Sequence, residues 1–226
     1  VTPSAPLCWA VIAVKAPGEG KTRLAGVLDA SARERLVTAM LKRVVDAAQG
    51  CHAVERVCLV GPSNHGLAVT LLNDEGAGLN EALSSATQQL QGAYGSDEAV
   101  GESARDGATD PVSSPGRRWP APQRVIVLAG DLPQVDAADL AMLADVPDDA
   151  IAIAPDRHGT GTNALSLPAS AIADFAFRFG TGSFAAHRGE AWRLGYKANV
   201  QLSAGLEKDI DEPADLPDAI DCLEEA

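Results

Sequence analysis

The sequence predicts an α/β fold: a three-layer α/β/α sandwich around a mostly parallel central sheet. Three observations carry that expectation. Continuous apolar runs of strand length recur along the chain, as strands buried on both faces require. Stretches with an apolar period of about 3.6 residues separate several of them, which is the alternation of a parallel sheet. The 226 residues are 46% hydrophobic and only 4% aromatic, so the core must be aliphatic. A chain of this length buries enough surface to fold without disulfides or structural metal. We expect one domain spanning 1–226.

The elements follow in order. CWAVIAV (8–14) is the first strand, too short and without the flanking signals of a leader segment. A glycine-bearing basic loop follows, then a helix starting near Ser31, where Ser31 and Glu34 have capping-box spacing. Leu36, Met40, Val44 and Ala47 give that helix an apolar face. VERVCLV (54–60) and AVTLL (68–72) are strands two and three, and a helix spans roughly 79–91. RVIVLAG (124–130) is the fourth strand and delivers Asp131 just past its end. A short helix over 136–144 has Asp136 as its N-cap. Strands at 151–155 and 163–167, short helices at 169–176 and 183–191, a strand at 199–203 and a helix at 212–224 complete the chain.

Right-handed crossovers put the loops after parallel strands along one edge, where such sheets bind ligands. Loops 15–23, 73–80, 130–134 and 155–162 are therefore expected to share one cleft. Residues 92–122, rich in Gly, Ser and Pro and without apolar period, read as a mobile insertion between a helix and a strand. Arg117, Arg118 and Trp119 within it would suit a partner contact, and a plain surface loop is the alternative.

Charge excludes several functions. Lys plus Arg number 18 against 31 acids, a net charge of −13. That argues against a dedicated nucleic-acid binder and against a surface seeking anionic lipid. No apolar run approaches a membrane span. Cys8, Cys51, Cys58 and Cys222 lack metal-site spacing and read as reduced thiols of a cytoplasmic protein. The charge is also uneven: residues 1–45 hold seven basic side chains against three acids, and 206–226 hold nine acids against one lysine.

Four segments carry candidate chemistry. In VKAPGEGKTRL (14–24), Lys15 stands where a Walker A loop needs its first glycine, and Arg23 where GxGxxG needs its third. What remains is a glycine-bearing loop with Lys15, Lys21 and Arg23 at a strand's carboxyl end, suited to a polyphosphate; an ordinary surface loop is the alternative. VIVLAGDLPQV (125–135) brings Asp131 to the same edge, as a ligand of nucleotide-bound Mg2+ or as a turn cap. In LEKDIDEPADL (206–216), Asp209 and Asp211 would point to one side of an extended segment, or the segment caps a helix ahead of Pro213. HGTGTNAL (158–165) and RFGTGSFAAHRGEA (178–191) are Gly- and hydroxyl-rich, with Ser183 placed as an N-cap with free amides behind it. They suit a second phosphate-bearing ligand, or are two tight turns. His52, His65, His158 and His187 are scattered and read as surface or helix-capping residues.

Taken in order, VKAPGEGKTRL, GAGLNEAL, AGDLPQV, HGTGTNAL, RFGTGSFAAH and DIDEPADL resemble the phosphoenolpyruvate and 2-phospho-L-lactate guanylyltransferases of deazaflavin coenzyme biosynthesis. The resemblance runs from about residue 8 to 217 outside the insertion. One departure is Gly20-Lys21-Thr22-Arg23-Leu24, where the family usually has Ala-Lys-Ser-Arg-Leu. The resemblance implies a Rossmann-type nucleotidyltransferase fold like that of molybdenum-cofactor guanylyltransferases and the nucleotide-diphospho-sugar transferases. It implies GMP transfer from GTP, with Mg2+ held by Asp131, Asp209 and Asp211. Lys15, Lys21 and Arg23 would hold the triphosphate, Asn80 the guanine or ribose, and Thr162, Gly180 and Ser183 the phosphoenolpyruvate. The product would pass to the downstream transferase of the pathway. The alternatives are 2-phospho-L-lactate or another phospho-acid as acceptor, CTP as donor, a non-catalytic nucleotide sensor, and an acidic interaction module acting through 92–122.

Overall fold

The computed structural model describes residues 7–16, 18, 20–72, 74, 78–95, 121–220 and 222; of the side chains of 92–95 nothing is described. Most of the expected 92–122 insertion, with Arg117, Arg118 and Trp119, lies outside these residues. The described chain forms one seven-stranded sheet. Its strands are β1 (Cys8–Ala13), β2 (Val54–Val60), β3 (Thr70–Leu72), β4 (Arg124–Ala129), β5 (Ala150–Pro155), β6 (Thr162–Pro168) and β7 (Lys197–Val200), in the order β3-β2-β1-β4-β6-β5-β7. The main helices are α1 (Ala30–Gly50), α2 (Leu79–Gly95), α3 (Ala137–Ala144) and α4 (Ser183–Arg193), and a one-turn helix, α5, spans Ala204–Glu207. No helix among the described residues is long and apolar enough to cross a membrane.

The sheet is mostly parallel, with one exception. β6 runs antiparallel to both β4 and β5. The chain turns back from β5 through 156–161 instead of crossing over, and β6 wedges between two parallel strands.

Both faces of the sheet are buried, and successive residues divide between them. Along β1, Ala10 and Ile12 join one core with Leu41, Val44 and Leu140 from α1 and α3. Trp9 and Val11 join the other with Leu83 and Ala86 from α2 and Ala191 from α4. β4 divides the same way, with Ile126 and Leu128 on the first face and Val125 and Val127 on the second. Each fully buried large aliphatic side chain contributes roughly 1.5–3 kcal/mol. This two-sided burial is the physical origin of the continuous apolar runs. None of the four cysteines forms a disulfide and all are buried. Burial raises the Cys8 and Cys58 thiols to about 11 and about 12, leaving both protonated at neutral pH.

The helix starts differ from the expectation in two places. α1 is capped by Asp29, which accepts the Ala32 N–H at 2.7 Å, and not by Ser31. Ser31 lies inside the first turn and accepts from Arg35, while Glu34 reaches back to the Gly18 N–H at 2.6 Å. α4 is capped by Gly182 in the left-handed region, φ 73, where a glycine carries no Cβ penalty. Ser183 is then the first helical residue and makes no cap hydrogen bond. Asp136 caps α3 as expected, in a reciprocal box with Asp139.

Toward the C-terminus, only Ala169–Ala171 of the expected 169–176 helix is helical, as a 3-10 turn. The last strand begins two residues early, at Lys197, and Ser203 then caps α5. The expected 212–224 helix opens as a 3-10 segment, Pro213–Ala219, started by a Glu212–Asp215 capping box; Ile220 and Cys222 after it are α-helical, and 221, 223 and 224 lie outside the described residues.

Candidate active site

Register sets the site's floor. Ala13 of β1 pairs with Val60 of β2 and with Ala129 of β4, so three parallel strands end level. The chain beyond them, at 14–16, 20–23, Pro62 and 130–131, borders a cavity of about 820 Å³. Lys15, Lys21, Arg23, Asp74, Asp131 and Asp211 face it, with Gly78, Leu79 and Phe179 on the α2 side. Three of the four loops expected to share a cleft do so. Loop 155–162 stands at the same edge but does not line this cavity. A second cavity of about 810 Å³, between α4 and β7, is lined by Arg188, Trp192, Tyr196 and Lys197 and holds none of the expected residues.

The charged heart of the cavity is an acid–lysine–acid bridge. The Lys21 ammonium donates to Asp131 and, at 3.1 Å, to Asp211. Arg23 adds a second cation on Asp211 at 3.4 Å. Burial pulls the Lys21 pKa down, but the Asp131 and Asp211 carboxylates outweigh it, and the net shift is upward. Lys21 takes a left-handed backbone, φ 55, unusual for a residue with a Cβ. The Lys15 ammonium makes no hydrogen bond or ion pair among the described residues, and its carbonyl oxygen lies 3.1 Å from His65 Nε2.

Asp209 stands apart from that bridge. Its carboxylate accepts from Asn163 Nδ2 at 3.3 Å, and its carbonyl accepts from Arg157 at 2.7 Å. Arg157 also pairs with Asp215 and Asp218, at 3.1 and 3.6 Å, so the β5–β6 loop anchors the acidic C-terminal segment. Burial raises the Asp209 pKa, and the nearby negative charges of Asp131 and Asp211 raise it further against the opposing Asn163 hydrogen bond.

The three carboxylates are not drawn into one cluster in this structure. Lys21 occupies the space between two of the acids, and no set of three or more His, Cys, Asp or Glu among the described residues is gathered to hold a metal. The donor chemistry nevertheless fits a hard divalent cation. All three groups are carboxylates, two already share one positive charge, and the third is destabilised by the other two.

Asn80 is placed otherwise than expected. It does not line the cavity. Its Oδ1 accepts the Phe179 N–H at 2.7 Å and its Nδ2 donates to the Phe179 carbonyl at 3.2 Å. Here that amide grips a loop 99 residues away in the chain.

Thr162, Gly180 and Ser183 come together beside that loop. Thr162 opens β6 and is 7% exposed; Ser183 is 1% exposed. The Ser183 N–H donates to the Gly180 carbonyl and the Phe184 N–H to the Thr160 carbonyl, both at 3.1 Å, so these two amides behind Ser183 are not free for an anion. Thr162 faces His187, its Oγ1 3.0 Å from Nδ1, while the next residue, Asn163, faces Asp209 on the opposite side of the strand. His187 is fully buried, not a surface or capping residue. Its spacing was the available signal: Ser183, His187 and Glu190 fall on one face of α4, and all three are buried.

A family described as guanylyl transferase CofC like matches residues 8–93 and 118–221. A phosphoenolpyruvate guanylyltransferase of Sphaerobacter thermophilus is 35% identical, over 92% of this chain and 89% of that protein. One of Rubrobacter xylanophilus is 34% identical, over 92% and 91%. One of Chloroflexus aggregans is 36% identical, over 85% and 86%. Among solved structures, a nucleotidyl transferase from Methanothermobacter has a TM-score of 0.59 at 16% identity, covering 97% of this chain and 98% of that one. The CMP:2-keto-3-deoxy-manno-octonic acid synthetase complexed with CTP also has a TM-score of 0.59, at 11% identity, covering 97% and 99%. With its family match spanning most of the sequence and its fold shared with nucleotidyltransferases, the chain belongs to the CofC-like guanylyl transferase family.

Proposed function

We propose that this chain transfers GMP from GTP to the phosphate of phosphoenolpyruvate, giving enolpyruvyl-diphospho-guanosine and pyrophosphate. The observation that carries the reading is the cavity at the carboxyl ends of β1, β2 and β4, where Lys15, Lys21 and Arg23 face Asp131 and Asp211. Relatives named for this reaction, 34–36% identical over most of the chain, support the choice of both substrates.

The reaction asks for alignment and charge neutralisation more than for proton transfer. A phosphate monoester is already anionic at neutral pH. One of its oxygens bonds to the α-phosphorus of GTP, the bond from that phosphorus to the bridging oxygen breaks, and pyrophosphate leaves with the electron pair. No general base is needed, in keeping with a cavity bordered by cations and carboxylates. Lys15, Lys21 and Arg23 hold the triphosphate and the leaving pyrophosphate. Asp131 and Asp211, with Asp209 beside them, would hold Mg2+, whose chemistry is to neutralise and orient phosphate oxygens. Thr162, Gly180 and Ser183 take the phosphoenolpyruvate phosphate and carboxylate. The 1–226 chain acts as one nucleotidyltransferase domain in the cytoplasm and releases its product to a downstream transferase.

The test is pyrophosphate release from GTP and Mg2+ with phosphoenolpyruvate, 2-phospho-L-lactate or no acceptor, and with CTP and ATP as alternative donors. Release that requires GTP and phosphoenolpyruvate is expected. Release with 2-phospho-L-lactate alone would replace the acceptor. A folded protein that binds GTP and releases nothing would be a sensor.

A further inference from the structure

We propose that His187 is a positioning residue of the acceptor subsite: it presents the Thr162 hydroxyl as a hydrogen-bond donor and fixes the loop carrying Gly180 and Ser183. The inference rests on the reading of Thr162, Gly180 and Ser183 as the phosphoenolpyruvate contacts, and deepens it.

Donor and acceptor roles follow from one constraint. A backbone N–H can only donate. The Arg178 N–H points at His187 Nε2 at 2.9 Å, so Nε2 carries a lone pair. The proton of the neutral ring is then on Nδ1. Nδ1 lies 3.0 Å from Thr162 Oγ1, and its N–H donates to that oxygen. Thr162 Oγ1 makes no other hydrogen bond among the described residues. Its own proton is therefore directed away from the ring and has no acceptor among the described residues. A phosphate or carboxylate oxygen accepts such a proton. A hydroxyl that is already accepting a hydrogen bond is polarised into a better donor.

The ring is locked in that role. It is fully buried, stacked on Phe175 at 5.9 Å and edge-on to Phe179 at 4.8 Å. Burial holds its pKa down, at about 4, so the neutral form persists at neutral pH.

The loop is fixed by the same set of side chains. Glu190 accepts the Ala176 N–H at 2.8 Å, His187 accepts that of Arg178, and Asn80 holds both the N–H and the carbonyl of Phe179. Four backbone groups in four residues are thus tied by side chains from α2 and α4. Gly180 follows immediately, at φ 121, a conformation that a side chain would strain. His187 is the one member of this set that also reaches Thr162.

Two measurements test the proposal. Long-range proton–nitrogen NMR at pH 7 should find His187 as the Nδ1–H tautomer, its signals identified by their loss in His187→Gln. An Nε2–H tautomer or an imidazolium would overturn the orientation whatever the enzyme's substrate. Steady-state kinetics should find the KM for phosphoenolpyruvate raised about tenfold in His187→Gln, the value of one buried neutral hydrogen bond, with the KM for GTP within about twofold. Thr162→Val should match it, the double variant should be no worse than either single one, and Thr162→Ser should stay within about threefold of wild type. Equal increases in both KM values, or additive effects, would overturn the coupling. Wild-type protein inactive with phosphoenolpyruvate would overturn the proposed reaction, a failure visible before any variant is made.

Discussion

Acidification should destabilise this protein through a single identifiable imidazole. His187 is fully buried, and its pKa is lowered to about 4, first by burial and further by the Arg178 charge, against the raising influence of Glu190. In the unfolded chain the ring returns to about 6.5. Between these two values the unfolded state binds a proton that the folded state refuses, so stability rises with pH across the window. His187 therefore contributes no penalty above pH 6.5, and a growing one as pH falls toward 4. The full difference is about 3 kcal/mol, of which about 2.5 kcal/mol is already lost at pH 4.5. For a chain of this size that is a fall in Tm of roughly 5–10 °C.

Carboxylates titrate in the same range, so the measurement is a difference. Urea unfolding of wild type and His187→Gln would be followed at pH 7.5, 6, 5 and 4.5. Glutamine carries no titrating proton and leaves the acids in place. Wild type should lose about 2.5 kcal/mol more than the variant between the first and last pH. Parallel curves would mean that the folded ring takes up its proton freely, and would refute both the burial argument and the hydrogen-bond assignment built on it.

Other outcomes follow from the same contacts. Asp131→Asn is nearly isosteric and should keep the fold while pyrophosphate release falls about 100-fold or more, since the group lost acts on developing charge; near-normal turnover would remove Asp131 from the site. Asp209→Asn should gain on the order of 1 kcal/mol in urea unfolding at pH 7, by removing a half-buried charge crowded by two others, while losing activity; a loss of stability would contradict that account. Asn80→Ala leaves the Phe179 N–H and carbonyl unpaired, should cost about 1–3 kcal/mol, and should raise the KM for phosphoenolpyruvate and not that for GTP; the reverse selectivity would restore the nucleotide contact. Arg124→Met should cost about 3 kcal/mol with both KM values unchanged, because it strips the donors from five acceptors of Val146, Pro147, Ala150 and Ser166, all but the Pro147 carbonyl in buried contacts.

The strands were legible because the sheet is covered on both faces, which writes each strand as an unbroken apolar run. The reversal of β6 was not, since NALSL reads alike in either direction and only its position between β4 and β5 sets its sense. The α1 start was misplaced because Asp29 and Ser31 are both good caps, and the choice falls to backbone geometry two residues upstream. The cations and Asp131 were legible from their places after apolar strands. The bridge Lys21 makes between Asp131 and Asp211 was not, because its partners lie 110 and 190 residues away in the chain. Arg124 opens β4 as a fully buried cation satisfied by main-chain carbonyls and one serine hydroxyl, and carbonyls leave no mark in a sequence.

The two sides of the site are held by different physics, and that decides how each responds to change. On the proposed nucleotide side, charges meet at a partly open edge: Lys21 is shared between Asp131 and Asp211, and Arg23 and Asp211 are exposed. Such groups are screened by solvent, so removing one costs the fold little and charged substrates much. On the proposed acceptor side, Asn80, Thr162, His187 and Glu190 are neutral or locally paired, mostly buried, and hold fixed donor and acceptor roles. Loss of one leaves a named partner unsatisfied in a place water reaches only in part, so the cost appears in stability and geometry together. Electrostatic steering suits a polyanion that must enter and leave as pyrophosphate. A rigid frame suits a small phospho-acid whose one attacking oxygen must be aimed. Raising the ionic strength should therefore weaken GTP binding while leaving the His187–Thr162 hydrogen bond, and the tautomer it fixes, as they are.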